Sequence, residues 1–230
     1  TPGTPLGRAK RRASTGAGIK NPKVDTVAER VPGSRFVMWV DAVGGFLVCL
    51  GDEIVLGPPT PDSSADVPIL GDISRRHAIL RRDREGYLVQ PLREVKLDGR
   101  PLSGPTTLTD GNVIELGEGV QLRFRRPHAL SMTARLEMIS RHRFDPAVDA
   151  VLLMADSCVL GPARHSHVPC RDWPRDVVLF RQAESLTCRH DGPFEVDGAP
   201  CEKKASVEMN SRVVADEFSF SLERLDNTQP

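Results

Sequence analysis

Ser74, Arg75, Arg76 and His77 stand in one short run, Ile73-Ser74-Arg75-Arg76-His77-Ala78, between segments of strand character. A Gly-Pro turn (Gly57-Pro58) precedes the run and an Asp-Gly turn (Asp98-Gly99) follows it. A hydroxyl, two guanidiniums and an imidazole on a short loop are suited to holding a phosphate dianion without reacting with it. An arginine offers a planar fork to two oxygens, and a serine hydroxyl adds a short donor. Ser74 and Arg75 are therefore the expected phosphate contacts, with Arg76 beside them. No nucleophile–base set accompanies His77, so no catalytic role is expected for it.

A second group of chemistry-bearing residues is His165-Ser166-His167 followed by Cys170. Imidazole and thiolate suit zinc. Cys158 and His190 are the candidates for a fourth ligand, but two histidines on a Pro-bounded loop are more often plain loop residues. The expectation is that His165, His167 and Cys170 hold no metal and that the chain needs no cofactor. Glycine-rich nucleotide loops and a Gly-x-Ser-x-Gly elbow are absent from the sequence, so no enzyme class is indicated.

The elements that must position the Ser-Arg loop are strands. Residues 35–41, 45–50, 53–56, 77–82, 87–90, 94–97, 112–116 and 120–125 are rich in Val, Ile, Leu and Phe, often alternating with polar residues. Val120-Gln121-Leu122-Arg123-Phe124-Arg125 alternates strictly, so one face is buried and the other wet. Gly44-Gly45, Gly51-Asp52, Gly57-Pro58-Pro59, Asp98-Gly99 and Asp110-Gly111 separate the runs. Many short strands at this spacing predict an all-β chain built as a β-sandwich.

The second half repeats the first. Val55-Leu56-Gly57-Pro58 returns as Val159-Leu160-Gly161-Pro162, an offset of 104, and residues 46–50 match 150–154 at the same offset. Beyond the loop the offset is 99: Leu97-Asp98-Gly99 returns as Val196-Asp197-Gly198. One five-residue deletion between the Gly-Pro turn and the Ser-Arg loop accounts for the change. Two tandem sandwiches are expected, over residues 34–127 and 131–226. In the second, Trp173-Pro174-Arg175-Asp176 stands where Ser-Arg-Arg-His stands in the first. An aspartate there repels phosphate, so this copy is expected to bind none.

On these residues the first copy resembles the forkhead-associated (FHA) domain. The resemblance rests on Leu56-Gly57, Ser74-Arg75-Arg76-His77-Ala78, the turn Asp98-Gly99, and Leu108, Gly111, Ile114, Leu116-Gly117, Leu122 and Phe124. It covers residues 53–126 and reaches Arg35 by strand count. It implies an eleven-stranded β-sandwich that binds phosphothreonine peptides through loops at one end. It also implies a structural role for His77, which staples neighbouring loops, and for Gly57, Asp98 and Gly99. Two family features are missing. An arginine normally follows the first glycine, where this chain has Pro58, and an asparagine normally holds the peptide backbone, where this chain runs Pro91-Leu92-Arg93-Glu94-Val95. Arg93 is the candidate to replace some of the lost charge, although Glu94 beside it opposes an anion. Each lost charged hydrogen bond is worth roughly 1.5–3 kcal/mol, so losing two weakens a micromolar site by about two orders of magnitude.

Residues 1–33 are poor in apolar side chains and carry Arg8, Lys10, Arg11, Arg12, Lys20, Lys23 and Arg30. They are expected to form a flexible basic tail, with Arg11-Arg12-Ala13-Ser14 shaped like a basophilic kinase site. Over the whole chain Lys+Arg and Asp+Glu balance at 31 each, which gives no signal for nucleic acid or a membrane surface. No apolar run reaches the roughly 18 residues that span a bilayer, and no signal peptide is read. Five cysteines without a CxxC point to reduced thiols and a cytoplasmic location. Two functions follow as expectations. One is a non-catalytic adaptor whose first copy binds a phosphorylated protein or peptide, including its own tail phosphorylated at Ser14 or Thr15. The other is a structural interaction protein whose sandwiches no longer bind phosphate.

Overall fold

Alternation along short runs becomes strand after strand. The structure is a computed structural model that describes Thr1, Gly3 and residues 35–61, 63–128, 130–182 and 185–225. The expected basic tail, with Ser14 and Thr15, lies outside the described residues apart from Thr1 and Gly3. Among the described residues there is no helix, and the fold is all-β.

The first half forms β1 (Arg35–Val40), β2 (Gly44–Cys49), β3 (Glu53–Gly57), β4 (Val67–Leu70), β5 (Ala78–Arg82), β6 (Tyr87–Pro91), β7 (Val95–Leu97), β8 (Arg100–Pro101), β9 (Thr106–Leu108), β10 (Val113–Leu116) and β11 (Val120–Arg125). The second forms β12 (Ala134–Met138), β13 (Arg143–Phe144), β14 (Ala150–Leu153), β15 (Ser157–Gly161), β16 (Val168–Pro169), β17 (Val177–Gln182), β18 (Ser185–Arg189), β19 (Phe194–Val196), β20 (Ala199–Cys201), β21 (Lys204–Val207), β22 (Arg212–Val214) and β23 (Ser219–Arg224). In the first half, β4, β8 and β9 were not visible as runs. They are two to four residues long and two of them contain proline, too short to show a period.

The pairing pattern of the first half recurs in the second. β3 pairs parallel with β4 and antiparallel with β5, as β15 does with β16 and β17. The series β5–β6–β9 is matched by β17–β18–β21, and β8–β7–β10–β11 by β20–β19–β22–β23. Asp98-Gly99 and Asp197-Gly198 both turn with positive φ. Each aspartate accepts a backbone N–H at 2.8 Å from the strand its own strand pairs with, from Val113 and Arg212 respectively.

The sandwiches, however, are not consecutive stretches of chain. The last strand of each half pairs with the first strand of the other: β11 with β12, and β23 with β1. β2 and β14 then lie side by side in parallel, joining these strands into one twelve-stranded sheet, with β13–β4–β3–β5–β6–β9 and β16–β15–β17–β18–β21 as two further sheets. One core holds Val37, Leu47, Ala134, Leu136, Val151 and Leu153 against β3–β6; the other holds Phe36, Met38, Phe46, Val48, Ala150 and Leu152 against β15, β17 and β18. Alternate residues of β1, β2 and β14 thus face opposite cores. That explains why Phe46–Cys49 and Ala150–Met154 are unbroken apolar runs: strands buried on both faces lose the alternation. Each packed body therefore takes strands from both of the expected units, 34–127 and 131–226. The cause is local. Only residues 126–133 connect β11 to β12, and a short connection makes consecutive strands antiparallel neighbours. The edge of β11 is then filled, and β1–β2 closes on β23.

Candidate functional site

The loop between β4 and β5, residues 71–77, meets the β6–β7 loop and the β10–β11 turn at one end of the first sandwich. His77 joins them. It is 4% exposed, and its Nδ1 accepts the Ser74 backbone N–H at 3.1 Å. Nδ1 being an acceptor, Nε2 carries the proton and donates to the Glu94 carbonyl at 2.7 Å. The same carbonyl accepts the Gly117 N–H at 3.1 Å. The backbone of His77 donates to Leu56 O at 2.9 Å, and its carbonyl accepts from Leu92 and Arg93, both at 3.1 Å. The buried side chain therefore uses both ring nitrogens to tie the Ser74 loop to Glu94, and the backbone of the same residue adds the end of β3 and the Leu92–Arg93 loop.

Gly57 is fixed by close approach. A Cβ there would lie 2.2 Å from the carbonyl oxygen of Arg75 and 3.3 Å from Ala65 Cβ. Only glycine lets the Ser-Arg loop sit on the end of β3. The Ser63 hydroxyl also reaches the Arg75 carbonyl, at 3.3 Å.

On this frame Ser74 is half-buried, and Arg75, Arg76 and Arg93 are exposed. The Ser74 hydroxyl makes no hydrogen bond to the described residues. Arg93 lies close to the loop because its N–H bonds to His77, and its guanidinium donates to Leu92 O at 3.1 Å. Glu94 turns partly toward Lys96, 3.8 Å away, and Lys96 is held chiefly by Glu115 at 2.8 Å. Ser74, Arg75, Arg76 and Arg93 thus lie on the two loops that His77 joins. Pro58 follows Gly57 with no donor to add. Asp98 and Gly99 lie at the other end of β7 from Arg93; Asp98 there accepts from Val113 N at 2.8 Å and from Asn112 Nδ2 at 2.6 Å. They hold the β7–β8 turn, away from the Ser-Arg loop.

The corresponding end of the second half is filled. Trp173 is buried with its ring 5.2 Å from that of Phe218, and His190 packs edge-on to Phe218 at 4.9 Å. Asp176 occupies the place of His77, and its carboxylate lies so close to Gly161 that any Cβ there would collide with it.

The zinc candidates are separated in role. His167 is buried; its Nδ1 accepts the Val159 N–H at 2.9 Å and its Nε2 meets Ser131 Oγ at 3.0 Å. Burial, followed by the nearby His128, Arg135 and His165, lowers its pKa to about 4. His165 stacks edge-on against His128. Cys170 is buried against Val168 O, and burial pushes the thiols of Cys158 and Cys170 up to about 12. Among the described residues no group of three or more His, Cys, Asp or Glu is placed to hold a metal ion.

One feature of this end had no sequence signal until the strand pairing was known. The β12–β14 connection, residues 139–149, comes from the second half and lands beside the Ser-Arg loop. A Cβ at Gly71 would lie 3.0 Å from His142 Cδ2. The only hint in the sequence was length: the equivalent connection between β1 and β2 is residues 41–43.

Comparison with known families matches the FHA domain to residues 53–117. The matched stretch runs from β3 to the β10–β11 turn and contains Gly57, the Ser74–His77 loop, Arg93 and the Asp98-Gly99 turn. FHA domains are protein-interaction modules that bind phosphorylated proteins or peptides. No curated protein matches the chain.

Proposed function

We propose that the chain is a non-catalytic adaptor whose first sandwich binds phosphothreonine peptides through Ser74 and Arg75, with Arg76 and Arg93 completing the cationic rim. The observation that carries this reading is the His77 staple, which holds the Ser74 backbone and the Arg93 loop together at one exposed end. A guanidinium fork and a hydroxyl placed in this way fit a phosphate dianion. Pro58 and the missing asparagine keep the affinity low. The second half is read as a copy of the same fold that binds no phosphate, on the strength of its repeated pairing pattern and its Trp173–Phe218 plug. Five cysteines without a CxxC support a reducing compartment, the cytoplasm.

Titration with matched phosphothreonine and plain peptides tests the reading. The expected result is selective binding of the phosphorylated form, lost in Ser74→Ala; equal binding of both forms overturns it. A peptide spanning Arg11–Gly16, phosphorylated at Ser14 or Thr15, tests the chain's own tail as the ligand.

The second reading, a scaffold whose sandwiches no longer bind phosphate, is favoured by Pro58, which leaves the glycine turn without its cation. It predicts that no phosphopeptide binds at Ser74.

A further inference from the structure

The second half supplies residues to the ligand end of the first. Because β12 pairs with β11, the connection 139–149 emerges at the β10–β11 turn, where Ile139 N donates to Gln121 O at 3.0 Å and Gln121 N to Ser140 Oγ at 3.1 Å. The chain then crosses to the edge of β4. Arg143 pairs with Leu70 and Phe144 with Ile69, and Asp145 N donates to Pro68 O at 3.0 Å. Phe144 is 1% exposed and belongs to the first core. The connection is thus anchored at both ends and by a buried aromatic ring.

What this anchoring leaves outside is specific. Cross-strand partners share a face, so as Phe144 and Ile69 go inward, Arg143 and Leu70 stand together on the outer face. Leu70 is 51% exposed, immediately before the Ser-Arg loop. His142 is oriented by Ser140, with Oγ and Nδ1 2.9 Å apart, and its ring lies against Gly71, three residues before Ser74. Arg141 and Arg143 are exposed and form no ion pair among the described residues. Asp72 and Asp145, two residues beyond Leu70 and Arg143 along the chain, are exposed acidic side chains.

We infer that Arg141 and Arg143, with Leu70 between β13 and the Ser-Arg loop, form a specificity rim that selects phosphopeptides with acidic and apolar residues flanking the phosphothreonine. This rests on the reading of Ser74 and Arg75 given above. The rim makes the ligand end a joint product of both halves of the chain. Exposed guanidiniums act weakly and through screened charge, so they tune selectivity and do not create the phosphate site.

The test uses the full chain and two phosphothreonine peptides, one with acidic and leucine residues flanking the phosphoresidue and one with lysine and serine there. The wild type is expected to prefer the first. Arg141→Gln with Arg143→Gln is expected to weaken the first peptide about five-fold and to leave the second unchanged, and Leu70→Ser to reduce the same preference, with unfolding midpoints unaltered. Ser74→Ala is expected to lose both peptides. Ser74-dependent binding with no flank preference, or a preference untouched by the arginine pair and Leu70, overturns the rim alone. Absence of any Ser74-dependent binding overturns the rim together with the phosphate reading.

Discussion

His77 illustrates how one residue converts a loop into a site. Its two nitrogens bond Ser74 N and Glu94 O, and its removal leaves the part-buried Ser74 N–H without that partner, while the Glu94 carbonyl keeps the Gly117 N–H. A lost partner of this kind costs about 1–3 kcal/mol, so His77→Ala is expected to lower the denaturation midpoint and to speed hydrogen exchange at the Ser74 amide. Unchanged exchange there would show that the staple does not hold the loop. Gly57→Ala drives a methyl to 2.2 Å from the Arg75 carbonyl. It is expected to cost about 1–3 kcal/mol by overpacking and to weaken phosphopeptide binding beyond what the lost stability explains, read from paired denaturation and titration. His167 gives a pH prediction. Its folded pKa, lowered to about 4 from the ordinary 6.5 by burial and then by His128, Arg135 and His165, means that the unfolded chain binds more protons between those values. Stability is full above pH 6.5 and falls as pH drops toward 4, by roughly 3 kcal/mol in all for a group this buried. Denaturation midpoints across that interval measure the slope, and His167→Gln is expected to flatten it.

Strand register decides which residues reach the site. The alternation of β11 made its inner face, Val120, Leu122 and Phe124, readable from sequence, and all three are in the first core. The Ser-Arg run and the two Asp-Gly turns were readable because their chemistry is local: φ near +50° and +80° in a two-residue turn, and a hydroxyl beside a guanidinium on a short loop. β13 was not readable. It is two residues long, and Arg143-Phe144 carries no period; its place depends on β4 offering a free edge and on β12 delivering the connection there. Replacing residues 139–149 by a three-residue turn like that of 41–43 is expected to expose Ile69 and the β4 edge, lowering stability and raising binding of an apolar-surface dye. No change in either would mean that the connection is only a spacer.

At the scale of the molecule, the exchanged strands make the two sandwiches one cooperative body. β1, β2 and β14 each bury apolar side chains in both cores, so neither core is complete without the other half. Chemical denaturation is expected to give one transition, coincident by far-ultraviolet circular dichroism and tryptophan fluorescence; two resolved transitions would show independent sandwiches. A fragment of residues 35–127 is expected to self-associate, since β1 and β2 would expose one apolar face and β11 an unpaired edge. The sequence by itself determined the all-β class and the Ser74–His77 loop with its glycine and histidine supports, because each depends on periodicity or on contacts between near neighbours. Only the tertiary structure decided which half completes which core and that His142 and Arg143 stand beside Gly71 and Leu70, just before the Ser-Arg loop. An apolar strand can satisfy the edge of β11 or of β23 with the same side chains, and the choice between them is made by connection length and packing, which no local pattern records.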